Sequence, residues 1–156
     1  MTPPPFSRFI EEHRQAVYRL LLATVGPDEA DDAFQETFIK ALRAYPEVRG
    51  DGDLRGWVLT IARRTAIDAA RARARRAGPV AEPEAVSPED IPEPRDPALW
   101  AAVRALAPRQ REAVALRYVA DMSYAQIARA MECSEEAARR SAFDGVRRLR
   151  EVWDGG

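Results

Sequence analysis

Cys133 is the only cysteine and His13 the only histidine among 156 residues. Neither an intramolecular disulfide nor a Cys/His metal cluster can be built, so no metal or other cofactor is expected and a reducing cytoplasm is the simplest setting. No run of 18 apolar residues occurs, and the opening Met-Thr-Pro-Pro-Pro has neither the basic nor the apolar part of a signal peptide; no membrane insertion is expected. Phosphate-binding loops and nucleophile constellations are missing too. The adjacent acids Asp31/Asp32 and Glu135/Glu136 would point about 100° apart on a helix, so they do not converge on a substrate. Catalysis is set aside on these grounds. No segment reads as a strand and no internal repeat is evident, which makes the chain all-α.

Charge of one sign is also lacking: the net charge is -1. Its distribution is uneven. Residues 1–78 carry 13 Lys/Arg against 11 Asp/Glu, residues 79–97 carry one against six, and residues 98–156 carry ten against eight. The stretch 78–97 also holds six of the 12 prolines. Such a segment buries too little apolar area to offset its ordering entropy, and its prolines keep it extended. It reads as a flexible, acidic linker (78–97) between two small helical domains, 1–77 and 98–156.

In the first domain Phe6, Phe9, Ile10, Val17, Leu20, Leu21 and Val25 recur at helical steps, with Ser7 as the expected cap. Gly26-Pro27 ends that helix and begins another, acidic at its start, with Phe34, Phe38, Ile39 and Leu42 expected to face inward. After the break at Tyr45-Pro46 and the turn Gly50-Asp51-Gly52, Asp53 is placed to cap a third helix with a stripe of Leu54, Trp57, Val58, Ile61 and Ile67. From Arg63 to Arg76 that helix carries six arginines and one acid, Asp68.

In the second domain, Leu99, Trp100, Val103 and Leu106 mark a short helix. Pro108 opens the next, with Val114, Leu116, Tyr118 and Val119 on its core side. Ser123 and Gln126 have capping-box spacing, and Ser134 can cap a last helix that begins with Glu135 and Glu136. Ala138, Ala142, Val146, Leu149 and Trp153 make its apolar stripe. Two helices joined by so short a turn have the geometry of a helix-turn-helix.

These pieces, in this order, resemble the sigma-70 family of bacterial transcription initiation factors, in its short extracytoplasmic-function class. Asp31-Asp32-Ala-Phe-Gln35-Glu36-Thr-Phe38-Ile-Lys40-Ala-Leu42 resembles the family's polymerase-binding helix. Leu54-Arg-Gly-Trp57-Val-Leu-Thr-Ile-Ala-Arg63-Arg64-Thr-Ala-Ile-Asp68 resembles the helix that reads the minus-10 promoter element. Leu106-Ala-Pro108-Arg-Gln110-Arg111-Glu112-Ala-Val114-Ala-Leu116-Arg-Tyr118, with Met122-Ser-Tyr124-Ala-Gln-Ile127-Ala128, resembles the entry to the minus-35 reader. The resemblance implies a region 2-like bundle and a region 4-like helix-turn-helix, binding core RNA polymerase and promoter DNA. An anti-sigma factor that holds the domains closed is a possible further partner.

Carried over residue by residue, the resemblance assigns Asp32, Gln35, Glu36, Phe38 and Leu42 to polymerase; Phe38 and Leu42 also fit a core role. It assigns Arg63, Arg64, Asp68, Arg71 and Arg75 to the minus-10 element, and Tyr124, Arg139, Arg140, Phe143 and Arg147 to the minus-35 element. By the same resemblance the loop from Val48 to Asp53 cradles a flipped base, with Tyr45 and Trp57 as candidate stacking surfaces. A charge run is usually a solvated face, but the arginine density beyond Ile61 is greater than solubility requires and suits phosphate.

The sequence departs from the family pattern at several points. Arg64 stands where asparagine is common, and Glu132 where the turn usually has glycine. Ser134-Glu135-Glu136 replaces Pro-x-Gly, and Ser141, Asp144 and Val146 replace frequent arginines. Two functions follow: a promoter-recognising sigma factor, or a sigma-like interaction protein that binds polymerase or a regulator and reads minus-35 DNA weakly. A one-component helix-turn-helix repressor would leave the first domain without a role.

Overall fold

The computed structural model describes residues 2–76, 91 and 96–154. Seven α-helices are present and, among the described residues, no strand: α1 Phe6–Val25, α2 Pro27–Ala44, α3 Leu54–Arg75, α4 Pro97–Arg104, α5 Pro108–Val114, α6 Tyr124–Met131 and α7 Glu135–Asp154. A 3₁₀ turn, Tyr45–Glu47, follows α2, and α5 widens into a π-helical turn, Ala115–Val119. Most of the linker expected at 78–97 lies outside the described residues.

Local chemistry sets most of the boundaries. Gly26 adopts φ 87°, a conformation costly for side-chain-bearing residues, and Pro27 opens α2 with Asp28 and Glu29 in its first turn. A Cβ on Gly26 would also come within 3.2 Å of the Arg104 side chain from α4. Asp53 caps α3 by accepting from the Gly56 N–H at 2.9 Å, and Asp96 caps α4 through the Leu99 N–H. The capping box of α6 is complete, and Ser134 accepts from the Ala137 N–H at 3.0 Å. Ser7 is not a cap: α1 already starts at Phe6, with Pro5 at the capping position and no side-chain bond there.

The middle of the molecule is α1. Its second half buries Val17, Tyr18, Leu20, Leu21, Leu22, Ala23 and Val25, more than one stripe. The cause is packing on several sides, against α2 and α3 and also α4 and the π turn. Thr37, with no exposed surface, satisfies its hydroxyl by donating to the Ala33 carbonyl at 2.7 Å. Tyr18 donates to the buried carboxylate of Asp31 at 2.8 Å.

One continuous apolar core joins the halves on either side of the linker. It includes Phe9, Leu20, Leu21, Val58 and Leu59 from the first half, Leu116, Met122 and Ile127 from the second, and Ile91 between them. At roughly 1.5–3 kcal/mol for each large side chain fully buried, this common core is the main source of cohesion. A smaller cluster of Val103, Leu106 and Val114 packs against Val146 and Leu149. There Gly145 lets α7 approach α5 closely, since a Cβ would meet Val114 Cγ2 at 2.5 Å.

Four residues expected inside are outside. Ile39 and Leu42 are 44% and 54% exposed, Tyr118 62% and Trp153 49%. Ile39 and Leu42 lie on the side of α2 turned from α1 and α3, Tyr118 is rotated outward in the π turn, and Trp153 lies in the last turn of α7. Leu59, absent from the expected α3 stripe, is fully buried.

Candidate nucleic-acid interface

Three surfaces gather the residues singled out from sequence. On α2, Asp32, Gln35, Glu36 and Leu42 are all exposed and, with Ile39, follow three- and four-residue steps along one face. Phe38 does not join them. It is 8% exposed and packs edge-on against Phe9 and Phe34, at ring-centroid distances of 6.4 and 5.0 Å; the core role is the one it takes.

The second surface is the basic side of α3, and the helix-turn-helix half rests on part of it. Arg63 is drawn inward: its Nε donates to Glu112 Oε1 at 3.0 Å and its Nη1 to the Ala130 carbonyl at 2.8 Å, with the pair only 11% and 9% exposed. Arg64 stays exposed, 3.8 Å from Glu132. Asp68 faces Lys40 at 3.7 Å, and Lys40 also donates to Thr65 Oγ1. Arg71 and Arg75 are exposed. Arg71 lines a cleft of about 420 Å³ between the halves, shared with Leu20, Ile67, Arg109 and Leu116.

Tyr45 and Trp57 belong to an aromatic cluster with Phe6 and Phe9. The Tyr45 hydroxyl donates to the Pro4 carbonyl, so this ring is held rather than open for stacking.

The third surface is the helix-turn-helix itself. Arg139, Arg140, Phe143 and Arg147 are exposed along α7, with Phe143 at 67%. The guanidiniums of Arg117 and Arg139 lie 4.5 and 4.9 Å from the centroid of the Tyr124 ring, a cation–π arrangement that orients both cations. A concave surface of about 580 Å³ runs from Tyr118 and Tyr124 to Arg147 and Arg150. Arg147 also approaches Glu151 at 3.8 Å. Glu132 adopts φ 55°, the left-handed conformation of a helix C-terminus; Cys133 beside it is half-buried.

The cap of α3 and the capping box of α6 are tied together. Gln126 accepts from the Ser123 N–H through Oε1 at 2.8 Å and donates through Nε2 to Asp53 Oδ2, also at 2.8 Å. Partial burial pushes the Asp53 carboxyl up, but the Gly56 N–H, the Gln126 amide, Arg129 and Arg55 outweigh it and hold the group below its ordinary value. Arg55 in turn donates to the Ala120 carbonyl. Reading the sequence missed Glu112, Arg55, Arg117 and the second bond of Gln126. A buried carboxylate in a helix of seven residues leaves no periodic signal, and Arg117 is marked only by its spacing to Tyr124.

Residues 9–76 match the family model for sigma-70 region 2 and residues 97–149 that for sigma-70 region 4. The chain belongs to the sigma-70 family. Within it, the relatives are factors of the extracytoplasmic-function (ECF) class. The chain is 34% identical over 154 residues to the ECF RNA polymerase sigma factor BldN of Streptomyces coelicolor, covering 92% of this chain and 58% of that protein. It is 29% identical over 166 residues to the ECF RNA polymerase sigma-E factor of Escherichia coli K12, covering 96% and 84%. It spans 44% of another relative, the ECF factor SigG of Mycobacterium tuberculosis, so it is about half the length of some of the factors it matches.

The fold is similar to the sigma factor RpoE in complex with the anti-sigma factor NepR from Bartonella quintana, with TM-score 0.79 and 23% identity over 96% of each chain. It is also similar to CnrH in complex with the cytosolic domain of CnrY, with TM-score 0.71 and 20% identity over 96% and 88%. Among the described residues no helix is long and apolar enough to cross a membrane.

Proposed function

We propose that this chain is a promoter-recognising initiation subunit that binds core RNA polymerase and directs it to minus-10 and minus-35 elements, with no catalytic chemistry of its own. The observation that carries the reading is the placement of two different surfaces on one chain. An exposed acidic and apolar face lies on α2, and an arginine-bearing helix-turn-helix lies at the other end, its cations oriented by Tyr124. Family membership supports it independently.

In this reading residues 1–77 carry polymerase and minus-10 binding, 78–97 the connection, and 98–156 minus-35 binding. Asp32, Gln35, Glu36, Ile39 and Leu42 meet polymerase. Arg64, Arg71 and Arg75 meet minus-10 DNA directly, and Arg63 does so once released from Glu112. Arg139, Arg140, Arg147 and Arg117 supply phosphate contacts on the minus-35 side, where each neutralised phosphate releases counterion. The protein acts in the cytoplasm, with an anti-sigma factor as a further partner; the two fold neighbours, each in complex with a regulator, support that pairing.

A second reading, a sigma-like interaction protein, is favoured by Glu132, Glu135 and Glu136 at the front of the helix-turn-helix, all exposed and repulsive to phosphate. In vitro transcription with core polymerase on genomic fragments, with start-site mapping, separates the two. Promoter firing supports the first reading; core binding with no promoter fired supports the second; failure to bind core refutes both.

A further inference from the structure

The helix-turn-helix half is seated on the helix proposed to read minus-10 DNA, and the contacts that hold it there use that helix's own DNA-facing cations. Arg63 commits its guanidinium to Glu112 and the Ala130 carbonyl. Arg64 faces Glu132, and Arg55 donates to the Ala120 carbonyl. The Asp53 cap of α3 accepts from the Gln126 amide of the α6 capping box. Met122, Gln126 and Arg129 close over Asp53, Gly56, Trp57, Thr60 and Arg64 around a cleft of about 360 Å³. The exposed α2 residues Asp32, Gln35, Glu36, Ile39 and Leu42 take no part in this seam.

We infer that the chain carries its own closed state, in which Glu112 and the capping box of α6 occupy the minus-10 surface of α3 and withhold Arg63 from DNA, while the α2 face stays open to polymerase. The inference rests on the proposed function. Polymerase can dock on a closed molecule; promoter DNA then competes for the same arginines, so opening is the step that separates polymerase binding from promoter engagement. Nothing outside the chain is needed to hold the shut form, and a regulator that binds it adds to an existing preference.

The Asp53–Gln126 bond supplies the test, because it can be inverted without losing either helix cap. Glu at position 126 still accepts from the Ser123 N–H and completes the capping box, but its carboxylate faces that of Asp53. Asn at position 53 still caps α3 and can donate to a carboxylate at 126. The experiment compares the full-length chain, Gln126→Glu and Asp53→Asn/Gln126→Glu by small-angle scattering at low salt, with circular dichroism to establish that each is folded. Binding to a single-stranded minus-10 oligonucleotide and to core polymerase is measured in parallel.

A closed globule of 156 residues has a radius of gyration of about 15 Å. Gln126→Glu should shift the closed–open balance toward open by about tenfold, the usual weight of a hydrogen bond to a charged group, with a larger radius and tighter oligonucleotide binding. The double variant should return both toward wild type, and polymerase affinity should be the same in all three. A folded Gln126→Glu protein with unchanged radius and DNA affinity would overturn the inference, as would failure of the folded double variant to restore closure. Loss of polymerase or DNA binding by every form would refute the proposed function instead, while the scattering comparison still judges the closed state.

Discussion

Replacing Glu132 by glycine sets two opposing effects against each other at one residue. Glu132 ends α6 at φ 55°, where a side-chain-bearing residue costs about 1 kcal/mol relative to glycine. Its carboxylate also lies 3.8 Å from Arg64, but the two side chains are 77% and 61% exposed, and screening limits such a pair to a few tenths of a kcal/mol. Backbone strain therefore outweighs the ion pair. Part of the gain is returned because glycine loosens the unfolded chain, so Glu132→Gly should stabilise the protein by about 0.5–1 kcal/mol. For a chain of this length that corresponds to a rise in Tm of about 2–4 °C per kcal/mol.

Urea and thermal unfolding in low and high salt make the measurement. The gain should be slightly larger in high salt, where the ion pair to Arg64 is already screened in the wild type. Glu132→Asn, whose side chain tolerates the left-handed region, should fall between wild type and glycine. A glycine variant less stable than wild type at both salt concentrations would refute the reasoning and mean that the attraction to Arg64 exceeds the strain.

Gly145→Ala should cost about 1–3 kcal/mol in urea unfolding, because its Cβ would press on Val114 Cγ2 at 2.5 Å; unchanged stability would mean that α5 and α7 can separate freely. Burial holds His13 below its ordinary 6.5, with Arg55 acting in the same direction and Glu12 and Asp53 against it. The folded value is therefore the lower one, so His13's contribution is fully present above pH 6.5 and is lost as pH falls below 6.5 through the folded value. His13→Gln should flatten that part of the stability profile between pH 7.5 and 5, and an equally steep profile would assign the slope to other groups. Arg139→Ala with Arg140→Ala should weaken duplex binding and reduce its salt slope by about one for each phosphate left without its arginine; Arg117→Ala should act in the same direction, and an unchanged slope would remove these residues from the interface. Arg63, Arg64 and Arg71 changed together to alanine should impair promoter opening in a transcription assay while polymerase binding survives, and equal loss of both would contradict the role of α3.

Features decided within a few residues were legible in the sequence. Gly26-Pro27, Asp53, Pro108, Ser123 with Gln126, and Ser134 all sit where their backbone chemistry places them, because a cap or a break is settled by one turn of chain. Apolar periodicity located α1 and α7 but did not identify which side chains stay wet. Ile39 and Leu42 share the helical spacing of Phe38, and only the positions of α1 and α3 decide which of the three is covered. Tyr118 turns outward because α5 widens into a π turn, and a five-residue widening has no signature in spacing. The destination of Arg63 was least legible of all. Its partners Glu112 and Ala130 lie 49 and 67 residues away, and their meeting depends on two halves with complementary surfaces rather than on any local rule.

The burial of α1 on several sides gives the molecule a thermal character. If the halves part, the side of α1 that faces α4 and the π turn becomes wet, and newly hydrated apolar surface raises the heat capacity of the parted form. Cohesion across such a surface weakens on cooling. The seam beside α1 should therefore loosen in the cold before the individual helices do, and a drop in temperature becomes a means of shifting the chain toward its parted form without any ligand.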